Sequence, residues 1–82
     1  MSNIVYTVHE EIRYEGGVFV GVASSLRRAK EIAEEHTGRR LEWRQPDAEW
    51  RTSSGLHRDT RYADADRYGD DVITIEPTEV QE

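Results

Sequence analysis

The sequence predicts a small α+β domain in which one amphipathic helix packs on one face of an antiparallel sheet. Apolar residues alternate with a period of two near both ends of the chain, and between these runs they recur every three or four residues. A chain of 82 residues, 35% hydrophobic and 34% charged, has room for one domain with a small core. We assign that domain to residues 1–77 and expect residues 78–82 to fray.

Two strands are predicted at the start of the chain. In NIVYTVHEE, every second residue from Ile4 to Val8 points to the same face, and the run is rich in β-branched and aromatic residues. The pair Gly16-Gly17 precedes VFVGV, which indicates a hairpin turn and a second, antiparallel strand. Gly21 inside this strand predicts a bulge or a close approach of another backbone or side chain.

A helix is predicted after the serines at positions 24 and 25, one of which supplies the N-cap oxygen. Apolar residues spaced for one helical face are Leu26, Ala29, Ile32 and Ala33. Two alanines on this face let the helix lie close to a sheet. Gly38 is placed to end the helix in a left-handed cap.

The middle of the chain, RRLEWRQPDAEWRTSSG, predicts a strand in which Leu41 and Trp43 share a face. A turn follows at Pro46. Trp50 either opens another short strand or lies on a loop, and the residues after it have the composition of an exposed connection. We expect Trp43 to be buried and Trp50 to be the exposed tryptophan.

Two further strands are predicted near the C-terminus. DTRYADA is the weaker candidate, whereas DVITIEP sets Ile73 and Ile75 on one face and is expected to end at Pro77. The predicted order is therefore two strands, a helix, and two to four strands.

The acidic stretch DADRYGDD between these strands has three interpretations: a metal loop, an acidic binding surface, or a turn. Asp64, Asp66 and Gly69 match places of an EF-hand calcium loop, but Tyr68 stands at the fifth place and Ile75 at the twelfth, which needs a bidentate glutamate. A loose divalent site built from its carboxylates stays open. A hairpin turn accounts for more of the residues, with the acids forming a negative patch at its tip.

The net charge of −6 lies in the last third of the chain. Residues 1–58 hold nine acids and nine bases, whereas residues 59–82 hold eight acids and two bases. This asymmetry disfavours direct binding to nucleic acid or an anionic membrane and favours a protein partner with a basic surface. Because no run approaches the roughly 20 apolar residues of a membrane span, we expect a soluble, cytoplasmic protein.

Catalytic and cofactor chemistry have little support in the sequence. Absence of cysteine excludes disulfides and thiol catalysis. His9, His36 and His57 stand in separate segments without the spacing of a metal site. No serine lies in a nucleophile-elbow motif and no glycine loop precedes a helix as in phosphate sites. We therefore predict a non-enzymatic protein without cofactor or metal.

The segment VYTVHEEIRYEGGVFVGVASSLRRAKEIAEEH resembles a group of small uncharacterised proteins from actinobacteria and their phages. The resemblance implies a bacterial or phage origin and a β-β-α start. It covers only the first half of the chain and implies no catalytic residue, because the group has no known activity.

The leading hypothesis is a protein-binding module that docks through the acidic turn. The predicted site residues are Asp64, Asp66, Tyr68, Asp70, Asp71 and Trp50. The alternative is a phage-type anti-defence inhibitor that mimics the charge of nucleic acid, and a third hypothesis is a small metal-dependent protein or enzyme. A homodimer is left open, because an edge strand could pair across a two-fold axis.

Overall fold

The computed structural model describes residues 2–12, 15–65 and 71–81. Its elements in chain order are β1 (Ser2–Ile12), β2 (Gly16–Ala23), α1 (Leu26–Thr37), α2 (Ala48–Ser54), β3 (Arg61–Asp64) and β4 (Asp71–Gln81). The four strands form one antiparallel sheet in the order β2-β1-β4-β3. The predicted α+β class is confirmed, with two helices instead of one.

The predicted antiparallel pairing of β1 and β2 is confirmed and contains a bulge, but Gly16 and Gly17 lie in β2 and pair with β1 instead of forming the turn. The amide of Glu15 donates to the carbonyl of Ile12 at 3.0 Å, and Gly16 follows with a φ of 86°. Pairing then steps from Val8–Gly21 directly to His9–Phe19, so Val20 is the extra residue of the bulge. The irregularity therefore lies beside Gly21, where the sequence predicts it.

Both predicted caps of α1 are present. The side chain of Ser25 accepts a hydrogen bond from the amide of Arg28 at 3.2 Å. Gly38 has a φ of 76°, and its amide donates to the carbonyl of Glu34 at 2.9 Å. Both alanines of the apolar face, Ala29 and Ala33, are fully buried, which confirms that this face packs on the sheet.

The core lies between α1 and one face of the sheet. Val8, Ile73 and Ile75 are fully buried there, and Val8 lies opposite Ile75 in the β1–β4 ladder. Several neighbours are small, since five of the nine buried Ala, Val, Leu and Ile residues in the described part of the chain are alanines. Trp43 packs against this cluster, as predicted, although its buried Nε1 has no hydrogen-bond partner in the described part of the chain.

The prediction of a strand around Leu41 and Trp43 is wrong. This segment is irregular, and in the described part of the chain it pairs with the sheet only through a bridge between Arg44 and Tyr62. The amide of Arg44 donates to the carbonyl of Tyr62 at 2.8 Å, and the amide of Tyr62 donates to the carbonyl of Arg44 at 3.0 Å. Leu41 is buried, but its amide donates to the carboxylate of Glu34 at 3.0 Å rather than to a strand. Local side-chain bonding replaces the expected ladder.

Trp50 lies in α2, neither on a loop nor in a strand as the sequence analysis expected. Asp47 caps the helix by accepting the amide of Trp50 on Oδ1 at 2.7 Å, and Gly55 ends it with a φ of 67°. None of the seven helical residues is buried. The helix therefore has no apolar face from which periodicity could predict it.

Pro77 does not end the last strand. β4 continues to Gln81, and Thr78 to Gln81 pair with Ser2 to Val5 of β1 in place of the expected frayed tail; Glu82 lies outside the described residues. Because β3 pairs with β4 only as far as Ile75, β4 has a neighbouring strand on only one side at Pro77, and that strand is β1. A proline is tolerated at such a sheet edge.

No helix in the described ranges is long and apolar enough to cross a membrane.

Candidate functional site

A groove of about 380 Å³ lies on the sheet face opposite α1, here called the back face. Its floor is formed by side chains that alternate with the buried core residues along three strands. These floor residues are Glu11, Tyr62, Val72, Thr74 and Glu76. Trp50 of α2 and Pro46 before it contribute to the wall, so the groove separates the second helix from the sheet.

α2 is held over the back face by the segments on either side of it. Before the helix, the bridge from Arg44 to Tyr62 fixes the chain to β3, and the side-chain amide of Gln45 donates to the carbonyl of Arg58 at 3.2 Å. At the end of the helix, the amide of Leu56 donates to the carbonyl of Arg51 at 2.9 Å, which closes the last turn of α2 itself. The wall of the groove is thus held through Arg44 and Gln45 and is formed by a short helix that has no buried residue of its own.

Trp50 and Tyr62 form the aromatic part of the groove. Their ring centroids lie 5.1 Å apart with an interplanar angle of 70°, which is an edge-to-face contact. Trp50 remains 42% exposed despite this contact. Its ring is therefore positioned by Tyr62 and still available to a ligand.

The charges of the groove are negative. Glu11 and Glu76 are both exposed, and the described lining residues include no lysine, arginine or histidine. Glu11 lies opposite Val72 in the β1–β4 ladder, and Glu76 follows Val72 by four residues along β4. Four residues of strand span about 13 Å, so the two carboxylates are placed toward opposite ends of the groove.

The predicted site residues separate into three groups. Trp50 is exposed and lines the groove, as its assignment to the site requires. Asp64 and Asp71 flank the connection between β3 and β4, which is closed by a hydrogen bond from the amide of Ala65 to the carbonyl of Asp71 at 2.8 Å. Predicted site residues that lie outside the described residues are Asp66, Tyr68 and Asp70.

Asp64 has basic neighbours. Its Oδ2 lies 3.9 Å from the guanidinium of Arg44, and its carbonyl accepts a hydrogen bond from the guanidinium of Arg39 at 3.0 Å. The carboxylate is exposed, as an acidic docking residue must be. Two arginines from the middle segment nevertheless reduce the negative potential at this side of the connection.

Sequence reasoning missed Glu11, Tyr62 and Glu76. The alternation of β4 places Thr74 and Glu76 on the face opposite Ile73 and Ile75, which was a usable signal. What the sequence did not contain was the strand order that brings β1, β3 and α2 to this face.

The histidines lie apart and do not form a common site. Nε2 of His36 lies 2.8 Å from a carboxylate oxygen of Glu10, which joins the end of α1 to β1, while His9 contacts Phe19 through its ring. His57 accepts the amide of Asp59 on Nδ1 at 3.0 Å. Within residues 2–12, 15–65 and 71–81, no group of three or more histidine, aspartate or glutamate side chains is arranged to hold a metal ion.

Together, the fold and the groove define a class of protein: a small α+β domain whose antiparallel sheet carries α1 on one face and the Trp50 side chain of α2 against Tyr62 on the other. No protein-family model, curated protein or solved structure matches the chain. The resemblance of residues 5–36 to small actinobacterial and phage proteins stays a prediction, and the function must be argued from the groove itself.

Proposed function

We propose that the protein is a non-catalytic binding module that docks a basic, extended segment of a partner protein in the groove between α2 and the back face. The observation that carries this proposal is the combination of an exposed aromatic pair, Trp50 and Tyr62, with two carboxylates, Glu11 and Glu76, in one groove without a basic residue among its described lining. An arginine or lysine side chain fits both parts, because its cation is attracted to carboxylates and to the faces of aromatic rings.

The spacing of the carboxylates suggests how the segment lies. In an extended chain, side chains four residues apart point in the same direction and are about 13 Å apart. This matches the spacing along β4 between Val72, the neighbour of Glu11, and Glu76. The preferred segment therefore carries two basic residues four positions apart, with Thr74 facing the chain between them.

Asp64 extends the same surface. It shares the back face with Tyr62, which lies two residues before it on β3. The second depression on the surface, at the end of α1, is a weaker candidate because both glutamates and arginines line it.

Calorimetric titration of the whole protein with two synthetic peptides tests the proposal. One peptide carries two arginines four positions apart, and the other has the same composition with the arginines adjacent. We expect the spaced peptide to bind more tightly. Glu76→Gln is expected to weaken its binding about fivefold, the effect of about 1 kcal/mol for one exposed ion pair.

The matched control is Glu79→Gln, which removes an equally exposed carboxylate from the other face of the same strand. It is expected to leave the affinity unchanged. Equal losses for the two variants would reject the groove and attribute binding to overall charge.

The hypothesis of nucleic-acid mimicry is favoured by the eight acids against two bases in residues 59–82. Salt separates the two functions. A charge mimic loses its partner steeply as ionic strength rises, whereas a segment held by Trp50 and Tyr62 keeps the aromatic part of its affinity. If the partner segment is held by the aromatic pair, Trp50→Ala should weaken binding in high salt about as much as in low salt.

A further inference from the structure

We propose that a second copy of this chain pairs with the outer edge of β2, so that two sheets join into one across a two-fold axis. The outer edge of β2, with its exposed side chains, is called the β2 edge below. β2 is the last strand on its side of the sheet, and its outer backbone amides and carbonyls face no neighbouring strand in the described part of the chain. The proposal is independent of the groove, whose floor lies mainly on β3 and β4, away from β2.

The β2 edge lacks most of the features that normally prevent strand pairing. Proteins protect edges with charged residues, proline, a β-bulge or a covering segment, and of these β2 has only the bulge at Val20. From Gly16 to Ala23 the strand reads GGVFVGVA, without a charge or a proline. On the other side of the sheet, β3 is covered at Tyr62 by Arg44, and the free end of β4 carries Glu76, Pro77 and Glu79.

The side chains of the β2 edge are apolar and exposed. Phe19 is 61% exposed, Val22 51% and Val18 43%. The ring of Phe19 is already positioned by an edge-to-face contact with His9, at a centroid distance of 5.5 Å. Pairing with another strand would remove these side chains from water at little cost in side-chain entropy for the phenylalanine.

The charges beside the edge identify the partner as a second copy. Glu15 lies before the first residue of β2, and Arg27 lies in the first turn of α1, shortly after the last residue. In an antiparallel, two-fold pairing the first end of one β2 meets the last end of the other. Glu15 of each copy is then brought toward Arg27 of the other, whose side chain is 93% exposed and also lies 3.7 Å from the carboxylate of Glu31 in its own helix.

The mass of the protein in solution, measured by sedimentation as a function of concentration, tests the pairing. We expect a species of twice the 9.5 kDa chain mass. Phe19→Lys should raise the dissociation constant more than tenfold, because it removes a buried ring from each copy and places a charge on the edge. Ile4→Lys is the matched control, since Ile4 is 52% exposed on β1 but pairs with β4 instead of β2, and its dimer should persist.

A pair of charge reversals tests the two-fold geometry. Arg27→Glu and Glu15→Arg should each weaken the dimer, because each variant brings like charges together at both contacts. An equimolar mixture of the two variants should dimerise again, because every contact then joins opposite charges. Either of two results would overturn the proposal: a wild type that stays monomeric at all concentrations, or a mixture of the two variants that fails to dimerise. The first result would mean that the bulge at Val20 keeps the β2 edge unpaired.

Discussion

Gly21 allows Ile32 of α1 to lie close to the sheet. A Cβ atom at this position would lie 3.1 Å from Cγ2 of Ile32, tighter than an ordinary van der Waals contact. We therefore expect Gly21→Ala to lower the free energy of unfolding by about 1 kcal/mol, because the helix must shift to admit the methyl group. Urea denaturation measures the change.

The control for this prediction is the same substitution in an Ile32→Leu background. Leucine has no methyl branch at Cβ, so the contact with position 21 is absent. Gly21→Ala should then be neutral, or stabilising by about 0.5 kcal/mol, because alanine restricts the unfolded chain more than glycine does. Additive effects of the two substitutions would contradict the contact between these residues.

At the same scale, the sequence predicted some site residues and not others. Trp50 is exposed as predicted, whereas Trp43, which was expected to be buried beside Leu41, is only partly buried against the core. Glu11 lies in β1 and Tyr62 in β3, far apart in the sequence, and they reach the same groove only because β1 and β3 both pair with β4. No local sequence pattern predicts that these two residues line the same groove.

Among the elements, α1 and the β1–β2 hairpin were predictable because caps, glycines and periodicity all agree there. α2 was not predicted, although Asp47 and Gly55 are ordinary capping residues, because its seven residues include no buried face. β4 was predicted too short at Pro77. A proline ends a strand that has a neighbouring strand on both sides. At Pro77, β4 pairs with β1 alone, because β3 ends before reaching that residue.

The stability of α2 depends on its caps more than on packing, which leads to a prediction for Asp47. Asp47→Ala removes the acceptor for the amide of Trp50 and should destabilise the helix by about 1 kcal/mol. Because no α2 residue is buried, we expect local opening: faster hydrogen exchange at residues 50–54, weaker peptide binding in the groove, and little change in the global melting temperature. Asp47→Asn keeps a capping oxygen and should behave like the wild type. A large fall in the melting temperature for Asp47→Ala would show that α2 unfolds only with the whole domain.

On the scale of the whole molecule, two strands of 11 residues form the centre of the sheet, and two shorter strands flank them. The floor of the groove lies mainly on β4 and β3, whereas β2 forms the other edge of the sheet. A dimer formed through β2 would therefore leave both grooves open, so the two proposals can succeed or fail separately.

This architecture makes the C-terminal end of β4 part of the fold, although the sequence analysis expected it to fray. Thr78 to Gln81 supply about a third of the β1–β4 ladder, and β1 has no other partner over Ser2 to Val5 in the described structure. A chain that stops after Pro77 should lose about 1–2 kcal/mol of stability, which corresponds to a fall of roughly 5–10 °C in the melting temperature of a domain of this size. Removal of Glu82 alone is the control and should have no effect. An unchanged melting temperature for the longer truncation would mean that these ladder pairs do not contribute to stability, and that the domain is complete at Pro77.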